Sequence, residues 1–410
     1  MRDEGALVPP ADAAQARTPW WPRAPWWLQA LAVAAAGRLV GAVVLAAVAR
    51  TQAATGWTPA SPSYLEYAGL MWDASWYRGI AEQGYPEGLP TGTDGRVVQN
   101  AWAFFPLFPL LVRVPLAAGV PWDVAAPVVA TGLGLAAAVV VHRVVRLSGA
   151  SHRVALTTVA LVQAHAAAPV LQVAYTESLA LLLVAACLWA VMTRRYLLAV
   201  PLVVALGLTR AVALPVALVV VVHAVHRWRA RAADPWPTRE RVGLAALGAA
   251  SVVAGLLWPV LVGLATGVPD AYARTQAAWR GRQEVVPLVP WFDVARWLVG
   301  SWGPVLVVLV WLAVLGVVVA RPVRRLGPEP WAWAAGYLGY LVVVLEPGTS
   351  LVRFTLLAFP VTAAAAVLVD RLPTTARRAA LAALLAAGVL AQVAWVALLW
   401  RLVPPSGWPP

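Results

Sequence analysis

The chain has 410 residues, of which 61% are hydrophobic and 12% charged, and its formal net charge is +13. This composition is far more apolar than that of an ordinary soluble domain. Several runs exceed the ~18 apolar residues needed to cross a bilayer, and their lack of polar–apolar alternation excludes a strand-based barrel. The sequence therefore predicts an all-α polytopic membrane protein.

The basic residues are all arginine, because the chain contains no lysine. An excess of basic over acidic residues occurs in nucleic-acid-binding proteins and in membrane proteins with arginine-rich cytoplasmic loops. The apolar runs favour the second interpretation, so we expect no nucleic-acid partner. A composition without lysine and rich in Ala, Val, Leu, Pro and Gly is typical of a GC-rich bacterial genome. The expected location is therefore the plasma (inner) membrane, with membrane lipid as a partner.

Hydropathy predicts roughly eleven membrane segments in one integral membrane domain, residues 27–402. Arginine clusters between segments are typical of cytoplasmic loops. They place an N-terminal tail, residues 1–26, in the cytoplasm and a C-terminal tail, residues 403–410, outside. The predicted segments lie at 27–49, 122–142, 153–170, 172–192, 196–209, 211–226, 242–266, 303–320, 331–345, 352–369 and 378–400. The one at 196–209 is short and flanked by proline, as in a half-helix.

This orientation places two long loops outside, at 50–121 and 267–302. Helix connectors commonly need only about 2–8 residues, whereas the first loop is long and rich in Trp, Tyr, Pro, Glu and Arg. The second contains "RTQAAWRGRQE", with Arg274, Arg280 and Arg282. That stretch is typical of a surface facing solvent or lipid head groups, and a substrate clamp is the alternative.

The first loop contains "MWDASWYRGIAEQGYP", which predicts a short amphipathic helix. Trp72, Trp76 and Ile80 recur at four-residue spacing and form one apolar stripe. Asp73 is placed to cap the helix, and Gly84 is placed to end it. The aromatic side chains suit a membrane–water interface. Periodicity alone favours Asp73 as a cap, and the alternative is a carboxylate that takes a proton from an attacking hydroxyl.

A second short helix is predicted in "AWAFFPLFPLLVR", where Pro106 opens the first turn. By itself this stretch indicates packing of Phe104, Phe105 and Phe108. In order along the chain, however, the two stretches resemble the PIG-V family of mannosyltransferases, in the glycosyltransferase C superfamily. The matching residues are Trp72-Asp73, Trp76-Tyr77, Ile80-Ala81, Gly84-Tyr85, and Phe104-Phe105-Pro106 with Pro109.

Three later stretches also look like the family. They are "AYTESLALLL" at 174–183, "GLTRAVAL" at 207–214 and "RFTLLAFP" at 353–360. The second departs from the pattern, because bacterial members commonly have proline after the arginine and this chain has Ala211. The resemblance thus covers most of the chain by topology, but its specific motifs lie mainly in the first loop.

The resemblance implies a helical membrane bundle with short juxtamembrane helices in the first external loop. It implies inverting transfer of a sugar, usually mannose, from a polyprenyl-phosphate donor on the extracytoplasmic side. Asp73 matches the acidic residue of the family motif and so takes the role of catalytic base. Eukaryotic members build GPI anchors, which a bacterium does not. The expected acceptor is therefore a glycolipid, polysaccharide or protein of the cell envelope.

Two arginines at predicted outer helix ends suit the donor phosphate. The planar guanidinium of Arg210 or Arg353 matches phosphate oxygens and can stabilise a phosphate leaving group. Snorkelling or ion pairing is the alternative for each. Glu177 starts a segment on the same side and is expected to pair with Arg210 or to contact substrate. The other candidate substrate contacts are Trp72, Trp76, Tyr77, Arg78 and Glu87.

Two questions stay open at the level of sequence. No metal-ligand spacing is present and the five histidines form no cluster, but Asp73 with Glu82 or Glu87 offers oxygen ligands for Mg²⁺ or Mn²⁺. The competing function is a transporter or lipid-linked-sugar flippase, which predicts charges throughout the segment interiors. Here the charges collect in one external loop and at outer helix ends, which favours a one-sided enzyme. The sequence does not distinguish mannose from arabinose or glucose.

Overall fold

A computed structural model describes residues 24–280 and 286–403. Within these ranges the protein is all-helical, with no strand and one isolated antiparallel bridge between Thr91 and Val97. The helical fold class is thus confirmed. Most of both predicted tails, and Arg282 of the second predicted loop, lie outside the described residues.

Hydropathy located most of the helices within a few residues of their ends. The α-helices are α1 (Trp26–Ala49), α2 (Tyr64–Leu70), α3 (Asp73–Gln83), α4 (Leu107–Ala117), α5 (Trp122–Leu147), α6 (His152–Gln163), α7 (Glu177–Met192), α8 (Tyr196–Gly207), α9 (Pro215–Ala230), α10 (Thr238–Thr266), α11 (Ala271–Arg280), α12 (Val289–Val299), α13 (Gly303–Val319), α14 (Arg321–Arg324), α15 (Pro328–Val344), α16 (Leu351–Phe354), α17 (Phe359–Asp370) and α18 (Thr374–Trp395).

Several of these helices are suited to a membrane, and the protein is accordingly membrane-embedded. In the described part of the chain, five stretches are long and apolar enough to cross a bilayer, or six if a pair bent by 72° counts as one span. The count of eleven spans is not confirmed, because α6, α8 and α17 have 12 residues each, or ~18 Å of helix. The five stretches are Trp26–Ala49, Trp122–Leu147, Thr238–Thr266, Val289–Val319 and Thr374–Trp400.

The stretch Val289–Val319 reverses direction in its middle. Gly300 ends α12 with φ 63°, a conformation that favours glycine. The indole of Trp311 in α13 then lies 6.4 Å from that of Trp291 and 5.6 Å from the ring of Phe292 in α12. In one straight helix these residues would be ~30 Å apart. The stretch is therefore a helical hairpin and not one straight span, so its length alone does not make it a membrane crossing. The second predicted loop contains α11 and α12.

A break between α6 and α7 covers residues 164–176, so the predicted segments at 153–170 and 172–192 are wrong at the ends that face each other. The helix ends at Gln163, and a short 3₁₀ turn spans Ala168–Gln172. Arg38, buried in the middle of α1, donates to the backbone carbonyl of Ala168 at 2.9 Å and to the side chain of Gln163. A charge inside a membrane helix is costly unless it is paired or hydrogen-bonded. Here the guanidinium of Arg38 is hydrogen-bonded to the carbonyl of Ala168 and the side chain of Gln163, which both lie at the break in the helix.

Close helix contacts position the end of α8. Gly207 lies against α10 so tightly that a Cβ atom would approach the carbonyl oxygen of Ala254 to 2.3 Å. Small residues allow such approach between membrane helices. Because Gly207 is the last residue of α8, this contact also fixes the turn that presents Arg210.

The predicted short helices of the first loop are confirmed and dock onto the bundle. Trp122 in α5 donates its indole N–H to the carbonyl of Gly69 at 2.7 Å, and the backbone N–H of Leu107 donates to Leu208 at 3.0 Å. Gly84 ends α3, as its sequence predicts. The predicted capping role of Asp73 is wrong: it is the first residue of α3, and its side chain makes no cap bond.

Candidate functional site

The backbone at the start of α3 sets the position of Asp73. Trp72 has φ 57° and ψ −124°, a conformation that is rare for a residue other than glycine. Its indole N–H donates to the carbonyl of Trp400 at 2.6 Å, and the backbone N–H of Asp73 donates to the hydroxyl of Tyr175 at 3.1 Å. These bonds hold the turn in place, so the carboxylate of Asp73 leaves the helix in a defined direction.

That carboxylate meets an arginine from the other end of the chain. Nη1 of Arg353 donates to Oδ2 of Asp73 at 2.9 Å. The side chain of Arg353 is 7% exposed and that of Asp73 is 21% exposed. The guanidinium carbon also lies 4.8 Å from the ring centre of Tyr175, a distance typical of a cation–π contact. The arginine is therefore held from two sides, while part of the Asp73 side chain remains accessible.

Glu177 joins this pair to a second arginine. Its Oε1 accepts a hydrogen bond from Nη1 of Arg210 at 2.6 Å and lies 3.3 Å from Nε of Arg353. The second contact is an ion pair without hydrogen-bond alignment, since Nε of Arg353 has no hydrogen-bond partner among the described residues. The predicted Glu177–Arg210 pair is confirmed. Asp73, Arg353, Glu177 and Arg210 together form what we call the charge cluster.

The charge cluster is electrically balanced and mostly buried. Glu177 is 1% exposed and the side chain of Arg210 16% exposed. Removing charges from water is costly unless opposite charges lie close by. Two carboxylates and two guanidiniums meet that requirement. Asp73 and Glu177 are also the first residues of α3 and α7, where the helix dipole favours negative charge.

A polar and aromatic cavity of about 1000 Å³ opens beside Asp73. Trp76 forms part of its wall, stacked on Phe104 at 5.6 Å between ring centres and edge-on to Trp279 at 5.3 Å. Asn100 and Gln99 add amide groups to the lining. The cavity thus combines flat aromatic surfaces, hydrogen-bonding side chains and one carboxylate.

An apolar groove of about 730 Å³ lies on the other side of Trp72, which lines both spaces. Its walls come from α12, α13, the loop before α16 and the turn after α18, with Leu306, Val310 and Leu398 among them. Leu398 is 75% exposed, so the groove continues into the apolar outer surface of the bundle. Asp73 therefore lies next to the place where a polar cavity and an apolar groove meet.

The remaining predicted site residues fall into three groups. Trp72 and Trp76 line the cavity. Tyr77 lies behind them, buried against the charge cluster, and burial with the nearby Asp73 carboxylate raises the pKa of its phenol well above the usual value. It therefore stays protonated. Arg78 and Glu87 are exposed and do not line the cavity, and Arg78 pairs instead with Glu82 at 2.9 Å.

Sequence reasoning missed several residues around the charge cluster. Tyr175 and Thr176 contact it directly, since the hydroxyl of Thr176 accepts from Arg210 at 3.2 Å. Their signal was their position next to Glu177 in "AYTES". Trp400 and Trp279 come from distant parts of the chain and carry no local signal, because their role depends on the fold that brings them to α3.

The described residues do not fit the divalent cation suggested by sequence. Among them, no three His, Cys, Asp or Glu side chains lie close enough together to hold a metal ion. Asp73 is engaged by Arg353, and Glu82 faces Arg78. Two histidines do meet: Nε2 of His142 in α5 lies 2.9 Å from Nδ1 of His152, the first residue of α6. No third His, Cys, Asp or Glu ligand joins them in the described part of the chain.

No protein-family model matches the chain, and none of the curated proteins matches it either. Function is therefore argued from the site itself. An accessible carboxylate held by a guanidinium, with a second arginine nearby, can accept a proton from a hydroxyl and stabilise negative charge on a phosphate.

Proposed function

We propose that the protein is an inverting glycosyltransferase of the PIG-V type within the glycosyltransferase C superfamily. It would move mannose from a polyprenyl-phosphate donor to a glycolipid, polysaccharide or protein acceptor of the cell envelope. One observation carries this proposal: Asp73, paired with Arg353, lies where a polar cavity meets an apolar groove. A polar acceptor group and a lipid-linked donor need that combination of surfaces.

The proposed topology has eleven membrane segments, with the charge cluster on the extracytoplasmic side. Its support is the separation of charge between the two ends of the helices. Arg153 in the first turn of α6 pairs with Asp370 at the end of α17, and Arg194 in the turn before α8 pairs with Asp234 in the turn after α9. Arginine-rich ends are typical of the cytoplasmic face. The first loop, with α2 to α4, then lies outside.

The proposed reaction begins with an acceptor hydroxyl in the polar cavity. The Asp73 carboxylate takes the hydroxyl proton while the acceptor oxygen bonds to the anomeric carbon of the donor sugar. The bond from that carbon to the phosphate oxygen breaks, and the electron pair leaves with polyprenyl phosphate. Attack from the face opposite the leaving group inverts the anomeric configuration, as in inverting glycosidases. The proton then passes from Asp73 to solvent.

Arginines of the charge cluster would stabilise the leaving phosphate. A guanidinium has five N–H donors, and the described contacts of Arg353 leave several of them free to bind a phosphate oxygen while Asp73 is held. Such charge-assisted bonds are stronger than bonds between neutral groups. A phosphate stabilised in this way needs no protonating acid, which agrees with the single accessible carboxylate of the cluster.

The apolar groove would hold the isoprenoid chain of the donor. Burial of apolar surface contributes roughly 0.8 kcal/mol per CH₂ group, so a few isoprene units add substantial binding energy far from the reacting carbon. The groove reaches the outer surface near Leu398, which gives a long chain a path into the bilayer.

A transporter or lipid-linked-sugar flippase is the competing function. It predicts charges in the segment interiors, and Arg38 is one. However, Arg38 is buried and hydrogen-bonded to Ala168 and Gln163, so it serves the helix break between α6 and α7. The same fold acting on another sugar is the nearer alternative.

The test is sugar transfer by the purified protein in liposomes. The donor is polyprenyl phosphate carrying a radiolabelled sugar, in parallel samples with mannose, glucose and arabinose, and the acceptors are envelope glycolipid, polysaccharide and protein fractions. We expect mannose in a product whose anomeric configuration is opposite to that of the donor. Label that crosses the bilayer without forming any product would support the flippase instead. Transfer of glucose or arabinose alone would change the assigned sugar.

A further inference from the structure

A second cavity lies at the opposite end of the helices from the charge cluster. It measures about 570 Å³ and lies between α9, α15 and the junction of α13 with α14. Helix α9 begins shortly after Arg210 and has 16 residues, so its two ends are ~24 Å apart. The cavity is therefore separate from the site proposed for glycosyl transfer.

The rim of this cavity carries uncompensated positive charge. Two exposed arginines line it, Arg229 and Arg324, and the exposed His226 lines it as well. In the described part of the chain, no carboxylate lies within ion-pair distance of either arginine. Arg227, which lies two positions before Arg229, differs from these two arginines in having acidic partners. Arg227 is buried and pairs with Asp234 and Glu240.

The acid closest in sequence to Arg324 is also unavailable. Glu329 is buried at the start of α15, and its Oε1 lies 2.6 Å from Nδ1 of His223. That histidine in turn contacts the hydroxyl of Tyr196 at 2.9 Å. The carboxylate is therefore paired with His223, and it also acts electrostatically on His226 at the rim. It forms no ion pair with Arg229 or Arg324.

Much of the cavity wall is apolar. Val221, Val225 and Val319 line it and are 57%, 42% and 53% exposed, so it opens onto the apolar outer surface of α9 and α13. Trp331 forms another part, and its indole N–H donates to the carbonyl of Val318 at 2.9 Å. At about 570 Å³ and with an apolar flank, the cavity has room for more than a hydrated ion.

We propose that this cavity binds an anionic phospholipid. Its phosphate group would lie against Arg229 and Arg324, and its acyl chains would follow Val221, Val225 and Val319 along α9 and α13. Basic pockets between membrane helices are suited to anionic lipid head groups, and guanidinium groups match phosphate oxygens. A free phosphate ion would use the arginines but not the apolar wall, so the lipid accounts for both features.

The test compares lipid binding by the full-length protein and by a matched pair of double variants. Native mass spectrometry and thermal unfolding in neutral detergent are measured with phosphatidylglycerol, phosphatidylcholine and inorganic phosphate. The test variant is R229Q/R324Q. The control, R325Q/R371Q, removes the same charge from exposed residues that do not line the cavity; Arg371 follows α17, on which α14 packs.

We expect phosphatidylglycerol to raise the unfolding temperature by several degrees, since a ligand that binds only the folded state stabilises it. The test variant should lose at least about tenfold in affinity, as expected for loss of two charge-assisted contacts, and the control should keep it. V221W places a large side chain in the apolar part of the cavity and leaves both arginines intact, so it should also weaken binding of phosphatidylglycerol. Equal loss in the control, equal binding of phosphatidylcholine, or full competition by inorganic phosphate would each overturn the proposal.

Discussion

Arg353 and Asp73 lie 280 positions apart in the chain, yet Nη1 of the arginine donates to Oδ2 of the aspartate at 2.9 Å. This bond connects the first loop to the segment before α17. It also holds the carboxylate by one oxygen while the side chain borders the polar cavity. The side chain of Asp73 faces Arg353 and does not cap α3, and its role as a catalytic base stays a prediction.

The first prediction concerns Asp73. The substitution Asp73→Asn keeps the size of the side chain but removes its ability to accept a proton, so sugar transfer should fall by ~10²–10⁴-fold. Donor binding should change little, because the amide can still accept a hydrogen bond from Arg353. The control is Glu82→Gln, an exposed change on the same helix. The measurements are the transfer rate and donor affinity. Near wild-type transfer by a folded Asp73→Asn protein would rule out the role of base.

The second prediction concerns Arg353. Arg353→Lys keeps the charge but has no planar fork, so it cannot contact both Asp73 and Glu177. We expect the KM for the polyprenyl-phosphate donor to rise by roughly tenfold or more, as for loss of a charge-assisted bond. Arg78→Lys is the matched control, because Arg78 is exposed and its ion pair within the described ranges is with Glu82. Unchanged donor kinetics in Arg353→Lys would remove this residue from the donor site.

The third prediction concerns the charge balance at Glu177. Glu177→Gln leaves two buried or partly buried guanidiniums with one carboxylate, and breaking a buried pair in this way costs ~3–5 kcal/mol. The double variant Glu177→Gln/Arg210→Gln restores the balance and should recover part of that loss, since contacting residues are coupled. Thermal unfolding in detergent measures both. The single variant Arg210→Gln completes the cycle. If the losses of the two single variants simply add in the double variant, the two residues do not act as a pair.

The fourth prediction concerns the apolar groove. Val310→Trp should fill it and raise the KM for a long-chain donor by about tenfold, the equivalent of losing roughly two buried CH₂ groups. A short-chain donor should be affected much less. Leu312→Trp is the control, because Leu312 lies two residues away on α13, is 56% exposed and does not line the groove. Equal effects on long-chain and short-chain donors would show that the isoprenoid chain binds elsewhere.

Much of the helical framework could be predicted from the sequence alone. The segment predicted at 27–49 is α1, Trp26–Ala49, and that predicted at 303–320 is α13, Gly303–Val319. Apolar run length, proline at a helix start and glycine at a helix end are local properties, so they are readable without contacts. The positions of Pro106 and Gly84 predicted the start of α4 and the end of α3 for the same reason.

The tertiary structure decided where helices break and which charges meet. Hydropathy at 153–170 does not show the break after Gln163, because Arg38 from another helix supplies the hydrogen bonds that make it tolerable. The composition likewise determined that arginine would provide the positive charge, but not which carboxylate each arginine would bind. Arg353 bonds to Asp73, whereas Arg229 lacks an ion-pair partner among the described residues. The energy of each charge pair depends on its burial and on the distance between the charges, and the whole fold sets both.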